Sequence, residues 1–537
     1  MPGNSNSNDS AIAARLDALE EKLATTEKIL SAAKVEILQK DQIIEALKNR
    51  LFGQKTERYD HNQLQFDFGE QTLGKPEPEE TGDQGNKGKE SGSSRSRSKK
   101  RDLFPKNLAV IVKEIIIPDA VKADPDSYIE IGEEFHDELE ANPGHLYFER
   151  TVRKKFRKID DKSVPPIISA APESTIPGTM CGADLMAMII SDKYCDHLPH
   201  YRQSGRFLRR NGVILCRETI NKWTHCAADL LAPIDTAIKE QIPLSDVLQI
   251  DETPAKYLVP GLGKAATGYY WFYRDQETGL VYCDWQIGRG HQCVLDVLGY
   301  DETSRTLKFN GSIQCDGYSA YITLDNMFDS IELGGCLAHI RRYFYDARKQ
   351  APDLVDRILK LIQQLYLYER ALRRPNEPPP DCRFLVRHGH QKKIVTELKQ
   401  IIEKESGKHL PKTNLGKAFT YAANQWQAFV RYLDDGRMEI DNNLIENAIR
   451  PAKLGLKNYL FIGSAEAGRT SAMMYTLIAN CKLHKIDPER YLAEVFRRLT
   501  SETTVEQARE LTPAKLADEI RAKQPVPLKF EANEEAA

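Results

Sequence analysis

The first 180 residues of this 537-residue chain contain no cysteine, and the ten that follow from Cys181 onward include no CxxC pair. That usage excludes a disulfide framework and reads as the reduced thiols of a cytosolic protein. Long apolar runs are also missing: none approaches the ~20 residues that span a bilayer. The opening "MPGNSNSNDS" lacks the apolar stretch of a signal peptide. Nor is there an excess of one charge, since 75 Lys and Arg face 78 Asp and Glu for a formal net charge of −3. Any nucleic-acid binding therefore has to come from local patches. Between Phe68 and Leu103 large apolar residues are scarce, and the stretch includes "KPEPEETGDQGNKGKESGSSRSRSKKR". Such a composition cannot offset chain entropy, so residues 58–103 read as a disordered linker. Its basic end, "SRSRSKKR", suits phosphate contact and a solubilising role equally.

What is present divides into several domains, as the length requires. Positions 12, 16, 19, 23, 26, 30, 33, 37, 40, 44, 47 and 51 alternate steps of four and three and are mostly Leu, Ile or Ala. This seam predicts a coiled coil over 1–57 and hence a homo-oligomer, with Thr26 and Lys40 on the seam available to set register. Residues 104–169 turn β-like. "YFERTVRKKFRKI" interleaves Arg150, Arg153, Lys154, Lys155, Arg157 and Lys158 with Tyr147, Phe148 and Phe156. A nucleic-acid-facing strand and a plain solvated strand both fit that pattern.

Residues 170–242 read as helical. "HYRQSGRFLRRNGVILCRETINKWTHCAADLL" fits a helix over 200–210, an "NGV" turn and a second helix over 216–231. Arg217, Asn221 and Lys222 fall outward at the start of the second helix, where a helix-turn-helix reads the major groove. A helical hairpin inside an ordinary bundle is the bland alternative.

From Pro243 the texture changes to short strands. "LSDVLQIDETP" ends in acids, "GYYWFYRDQETGLVYCDWQIGR" is a hairpin, "GSIQCDGYSAY" ends in an acid, and "IELGGCLAHIRRYFYDARK" is a strand followed by a helix. This is the order of a ribonuclease-H-like α/β core over 243–480, interrupted by a helical insertion over about 347–435. In such a sheet the first and fourth strands are neighbours, which would bring Asp251 and Asp316 together. Two close carboxylates repel unless a cation lies between them, and Mg²⁺, with Mn²⁺ as substitute, takes oxygen ligands of this kind.

A third acid comes from "GRMEIDNNLIENAIRPAKLG". Read as a helix from Asp441 to Arg450 ended by Pro451, it has an apolar side of Leu444, Ile445, Ala448 and Ile449. Its polar side is Asn442, Asn443, Glu446, Asn447 and Arg450. Glu446 is the lone acid of that polar side and completes a set of three, the number that lets a site hold two metal ions. The catalytic and metal-binding set is thus Asp251, Asp316 and Glu446. DNA contacts are expected from Arg153, Lys154, Lys155, Arg217, Asn221, Lys222, His339, Arg341, Arg342, Asn443, Arg450 and Lys457. Arg341 and Arg342 fit a phosphate clamp and equally a pair of surface ion pairs. Cys336 and His339 form a CxxH without a partner pair, so His339 reads as a structural or DNA-positioning residue. Residues 481–537 read as a C-terminal helical tail.

"QIDETP", "QCDGYSAY", "GCLAHIRRYFYDA" and "IDNNLIENAIRPAKLGLKNYLFIGSAEAG" resemble the core of DDE transposases of the insertion-sequence-66 family. "LFGQKTER" and "DHLPHYRQSGRF" extend the resemblance over about 47–499. It implies the three acids named above and cleavage at transposon ends followed by strand transfer into target DNA. It also implies a bacterial cytoplasmic, nucleoid-associated protein, terminal inverted repeats as the bound DNA, and small accessory proteins. The family's small zinc segment before the core has no cysteine here. Cys181, Cys195, His197 and His200 are too widely spaced to replace it, so no structural zinc is expected. Two rivals are a repurposed, inactive transposase that only binds DNA, and a nuclease of the same fold.

Overall fold

The computed structural model describes residues 110–142, 145–159, 163, 165–261, 263–372 and 379–523. The coiled coil expected over 1–57 and the linker expected over 58–103 lie outside the described residues.

The β-branched run after residue 109 pairs as expected. Strands β1 (Val110–Ile116), β2 (Tyr128–Asn142) and β3 (His145–Lys158) form a sheet of order β1-β3-β2, with β1 parallel and β2 antiparallel to β3. Alternation turns Leu146, Val152 and Phe156 inward. The Glu140 carboxylate accepts the Leu185 N–H at 2.6 Å, which ties this sheet to the first helix after it.

That helix (Ala183–Tyr194) is followed by helices at His200–Asn211 and Arg217–Lys239. Gly212, at φ 67°, closes the middle one, because its N–H must turn back to Leu208 in a left-handed conformation that glycine adopts freely. The third helix is longer than its sequence suggests and runs through Pro233. Ile220, Trp223, Ala227, Leu231 and Ile234 bury its inner face, while Arg217, Asn221 and Lys222 stay exposed.

The next sheet has five strands: β4 (Val247–Tyr257), β5 (Ala266–Asp275), β6 (Val281–Gln286), β9 (Gly311–Gln314) and β10 (Ile331–Gly334), in the order β10-β9-β4-β5-β6. The short pair β7 (Tyr300–Asp301) and β8 (Thr306–Leu307) stands apart. β4, β9 and β10 run parallel, and β5 and β6 form the antiparallel hairpin that the "DQETG" turn predicts. In that turn Asp275 accepts the Thr278 hydroxyl at 2.5 Å, and Gly279 takes φ 79°. β4 lies beside β9, as the strand order requires for its two acids to meet.

The insertion is helical, with helices at Pro352–Leu372, Lys392–Glu405 and Asn414–Asn424 among others, and it has its own apolar cluster that includes Ile358, Leu398, Phe419 and Phe429. A second, larger cluster unites what the sequence presents as separate pieces. It runs from Leu139 through the 183–239 helices and the five-stranded sheet to Tyr491, Phe496 and Ile520 in the last helices.

The helix that carries Glu446 differs from expectation. It spans Asn443–Tyr459 and continues through Pro451. Proline removes only one backbone hydrogen bond there, and the buried stripe Ile445, Ile449, Ala452 and Gly455 holds both halves against the core. A Cβ at Gly455 would lie 2.2 Å from the Tyr459 hydroxyl and 2.9 Å from that of Tyr475, so any side chain there would have to displace those two rings. Among the described residues no helix is long and apolar enough to cross a membrane.

Candidate active site

β4 and β9 pair in register with Gln249 opposite Gln314. Asp251 and Asp316 each lie two residues further on. β9 ends at Gln314, whereas β4 continues beside β5 alone, with Asp251 opposite Phe272. Both carboxyls are therefore presented where a parallel strand pair ends and a cleft opens. Asp251 is half-buried and accepts its own neighbour's N–H, from Glu252, at 2.8 Å. Burial, then the charges of Glu252 and Asp316, pushes its pKa up to about 7, against that hydrogen bond and the charge of Lys453.

Asp316 accepts the Tyr318 N–H at 2.9 Å, and its carbonyl accepts the Tyr421 hydroxyl of the insertion at 2.7 Å. Between them Gly317 takes φ 81°, and a Cβ there would lie 2.3 Å from the Gln425 amide. The "DGY" turn is thus held from below by the helical insertion.

Glu446 lies near the start of its helix, with its side chain 25% exposed. One oxygen is 3.9 Å from His339 Nε2 and the other 3.9 Å from Arg342 Nη2. Burial lowers the His339 pKa and Arg342 lowers it further, while Glu446, Asp316 and Asp441 pull it up. His339 therefore sits within electrostatic reach of both Glu446 and Asp316. The structure brings β4, the turn after β9, the His339 helix (Leu337–Ala347) and the Glu446 helix to one cleft. Lys453, two turns after Glu446, acts on Asp251.

The donor set has a definite limit. Among the described residues no group of three or more His, Cys, Asp or Glu is placed to hold a metal ion. Cys181, Cys195, His197 and His200 make no such set. Asp251 and Asp316 alone suit a hard divalent ion, which commonly takes one or two carboxylates and completes its shell with water and phosphate. Burial, then the charges of Glu252 and Asp316, disfavours a carboxylate at Asp251, and a bound cation would offset that penalty.

The expected DNA-contacting residues separate into groups. Arg341, Arg342, Arg450 and Lys457 are exposed on the two helices of the cleft. Asn443 is exposed, but its amide donates to Asp441 at 2.8 Å. Arg217 pairs with its neighbour Glu218 at 2.7 Å. On β3 the register sets the cations against acids of β2: Arg153 meets Glu134 at 2.9 Å, Lys154 meets Glu130 at 3.0 Å, and Lys155 also pairs with Glu134. Asn442, expected beside Glu446 on the polar side, is fully buried, and its N–H donates to the Cys336 sulfur at 3.2 Å.

Two features escape a residue-by-residue reading. Glu252 points away from Asp251 on the alternating strand, is almost wholly buried, and joins Tyr321 and Arg289. Buried Gln249 and Gln314, joined by half-buried Gln276, form a hydrogen-bonded cluster under the acids. The signal for the cluster was in plain sight: both acids stand in a Gln-x-Asp pattern, "QID" and "QCD".

Three family models match this chain: the IS66 family transposase over residues 178–470, the IS66 C-terminal element over 476–514, and "Transposase C of IS166 homeodomain" over 41–112. The chain belongs to the IS66 transposase family. It is 30% identical to the uncharacterized protein y4qI of Sinorhizobium fredii (strain NBRC 101917 / NGR234) over 93% of each chain. It is also 28% identical to the uncharacterized protein y4jD of the same strain, over 71% of this chain and 75% of the other. The homeodomain match falls on the end of the expected coiled coil and on the expected linker, before the helical pair from which DNA reading was anticipated.

Proposed function

We propose that this transposase is of the DDE type: it cuts phosphodiesters at its element's DNA ends and joins the freed 3′-hydroxyl to target DNA, using Asp251, Asp316 and Glu446. The observation that carries the reading is the side-by-side placement of the Asp251 and Asp316 strands with the Glu446 helix over the same cleft. The sheet order β10-β9-β4-β5-β6, in which β5 alone runs antiparallel to the other four strands, supports a ribonuclease-H-like core.

Asp251 and Asp316 would hold Mg²⁺, or Mn²⁺ in its place, and Glu446 would join them by a side-chain movement away from His339. When bound, such an ion would supply Lewis acidity for phosphodiester hydrolysis. The chain's own part is positional. The β4–β9 pair fixes two carboxylates, the insertion fixes the "DGY" turn, and Arg341, Arg342, Arg450 and Lys457 offer cations to the DNA backbone. The homeodomain-like segment supplies further DNA binding, and the coiled coil pairs protomers so that two ends are handled together. Terminal inverted repeats are the bound ends, and small accessory proteins assist.

The test is Mg²⁺-dependent cleavage of duplexes carrying the element's ends, wild type against Glu446→Gln. Wild type is expected to cut, and the variant to bind but cut at least ~100-fold more slowly. Equal cutting would remove Glu446 from the site. Binding without cutting by both would leave a DNA-binding protein.

A further inference from the structure

Glu252 is buried, with its side chain 1% exposed, and an isolated carboxylate in such a place is costly. Two groups meet it. Tyr321 donates its hydroxyl to one oxygen at 2.8 Å, and Arg289 donates Nε to the other at 2.7 Å, with Nη2 at 2.5 Å from that same oxygen. A structural ion pair would account for this much. It does not account for the rest of Arg289.

The Arg289 side chain is 41% exposed. Its guanidinium stacks on the Tyr318 ring, 3.8 Å from the centroid, and Tyr318 is the residue whose N–H holds Asp316. Only one edge of the planar fork is used by Glu252, so donors on Nη1 remain for another acceptor. The neighbours on either side are Gly288 and Gly290, and neither has a positive φ. At Gly288 a Cβ would meet only the Cys293 sulfur, at an ordinary 3.5 Å. Neither backbone conformation nor crowding requires glycine at 288. A cation held rigidly by a buried acid, stacked on an aromatic ring and left open beside the "DGY" turn is pre-organised to receive an anion.

We propose that Arg289 is a phosphate-clamping residue that grips one DNA backbone phosphate next to the Asp251–Asp316 cleft, with Glu252 and Tyr318 as its positioning residues. This rests on the reading of the cleft as a DNA-processing site. It adds a contact outside the acid set and outside the basic helices.

The experiment measures binding of the full-length chain to end-bearing duplex DNA across a range of salt concentrations. Each phosphate contact contributes about 0.9 to the slope of log K against log salt. Arg289→Ala is expected to lower that slope by about one while Arg289→Lys largely retains it. Because Arg289→Ala strands a buried acid, the double variant Glu252→Gln/Arg289→Gln is measured beside it. That variant removes both charges and leaves net charge unchanged, so a slope loss of about one in it reports a contact and not a long-range field. An unchanged slope in the folded double variant overturns the clamp. Cleavage is read in the same samples. A wild type that binds and does not cut sinks the proposed activity, while the slope still decides the clamp.

Discussion

Gln249 Nε2 donates to Gln314 Oε1 at 2.9 Å, in the buried interior directly beneath the two strand-end acids. The same Gln249 nitrogen reaches the Asp441 carbonyl at 2.9 Å, and Gln314 Nε2 reaches the carbonyls of Gly335 at 3.0 Å and Glu439 at 2.7 Å. Two glutamines thus bind together β4, β9 and the segment that leads into the Glu446 helix. Each element brings one member of the proposed acid set.

Gln314→Leu should therefore act on both stability and geometry. It conserves approximate volume but leaves the Gly335 and Glu439 carbonyls without the Gln314 donor, and removes the acceptor that the Gln249 and Gln276 amides share, Gln249 keeping only the Asp441 carbonyl. Unmade buried hydrogen bonds cost about 1–3 kcal/mol each, so urea denaturation should show a loss of about 3 kcal/mol or more. A loss below about 1 kcal/mol would mean the cluster is replaceable by apolar packing.

A second buried cluster ties the insertion to the same segment. Arg387 is fully buried and pairs with Glu369 at 2.9 and 2.8 Å, and its remaining donors reach the carbonyls of Tyr432 and Asp435. Arg383 bridges Glu369 and Glu439. Arg387→Met strips the buried Glu369 carboxylate of its bidentate partner, leaving it Arg383 at 3.4 Å and the Gln391 amide at 2.7 Å, and the expected destabilisation is about 3–5 kcal/mol. Adding Glu369→Leu should recover a large part of it. A double variant as unstable as the single one would show that the carbonyl contacts, not the charge pair, hold the segment.

Asp235, on the Arg217–Lys239 helix, gives a pH signature remote from the cleft. Burial, then the charge of Asp284, pushes its pKa up to about 7, opposed by a hydrogen bond with Thr476 and the charge of Lys239. A raised folded-state value means that the folded chain keeps a proton the unfolded chain has released above about pH 4. Stability is therefore lost as pH rises from about 4 to 7, by up to roughly 1.4 kcal/mol per unit. Asp235→Asn lacks this loss. The variant and wild type should match near pH 4 and diverge in the variant's favour up to pH 7–8. Parallel stability curves would show that Asp235 titrates normally.

The parts of the molecule that were legible in sequence are those decided locally. Apolar runs that end in acids announced β4 and β9, the "DQETG" turn announced the β5–β6 hairpin, and Gly212 announced a helix end. Other features depend on partners far along the chain. The cations of β3 are neutralised because the antiparallel register sets Arg153 and Lys154 against β2 acids, and no local composition reveals that register. Pro451 reads as a stop, but the stripe of Ile445, Ile449 and Ala452 outweighs it by burial. Asn442 belongs to the polar side by periodicity, yet it is buried at the helix start, where its N–H meets Cys336. Glu252 and Arg289 lie 37 positions apart in sequence and acquire meaning only once the hairpin folds back.

The larger apolar cluster has a consequence for the gene as well as for the chain. Tyr491, Leu492, Val495 and Phe496 of the Pro488–Arg498 helix belong to the same core as the central strands, and that helix lies against Ala183–Tyr194 near the other end of the cluster. A frameshift or premature stop close to residue 487 would remove no acid, yet it would strip interior packing from the whole unit. Copies of the gene eroded at their 3′ end should therefore fall silent abruptly, with the residues of the cleft still encoded and nothing left to hold them.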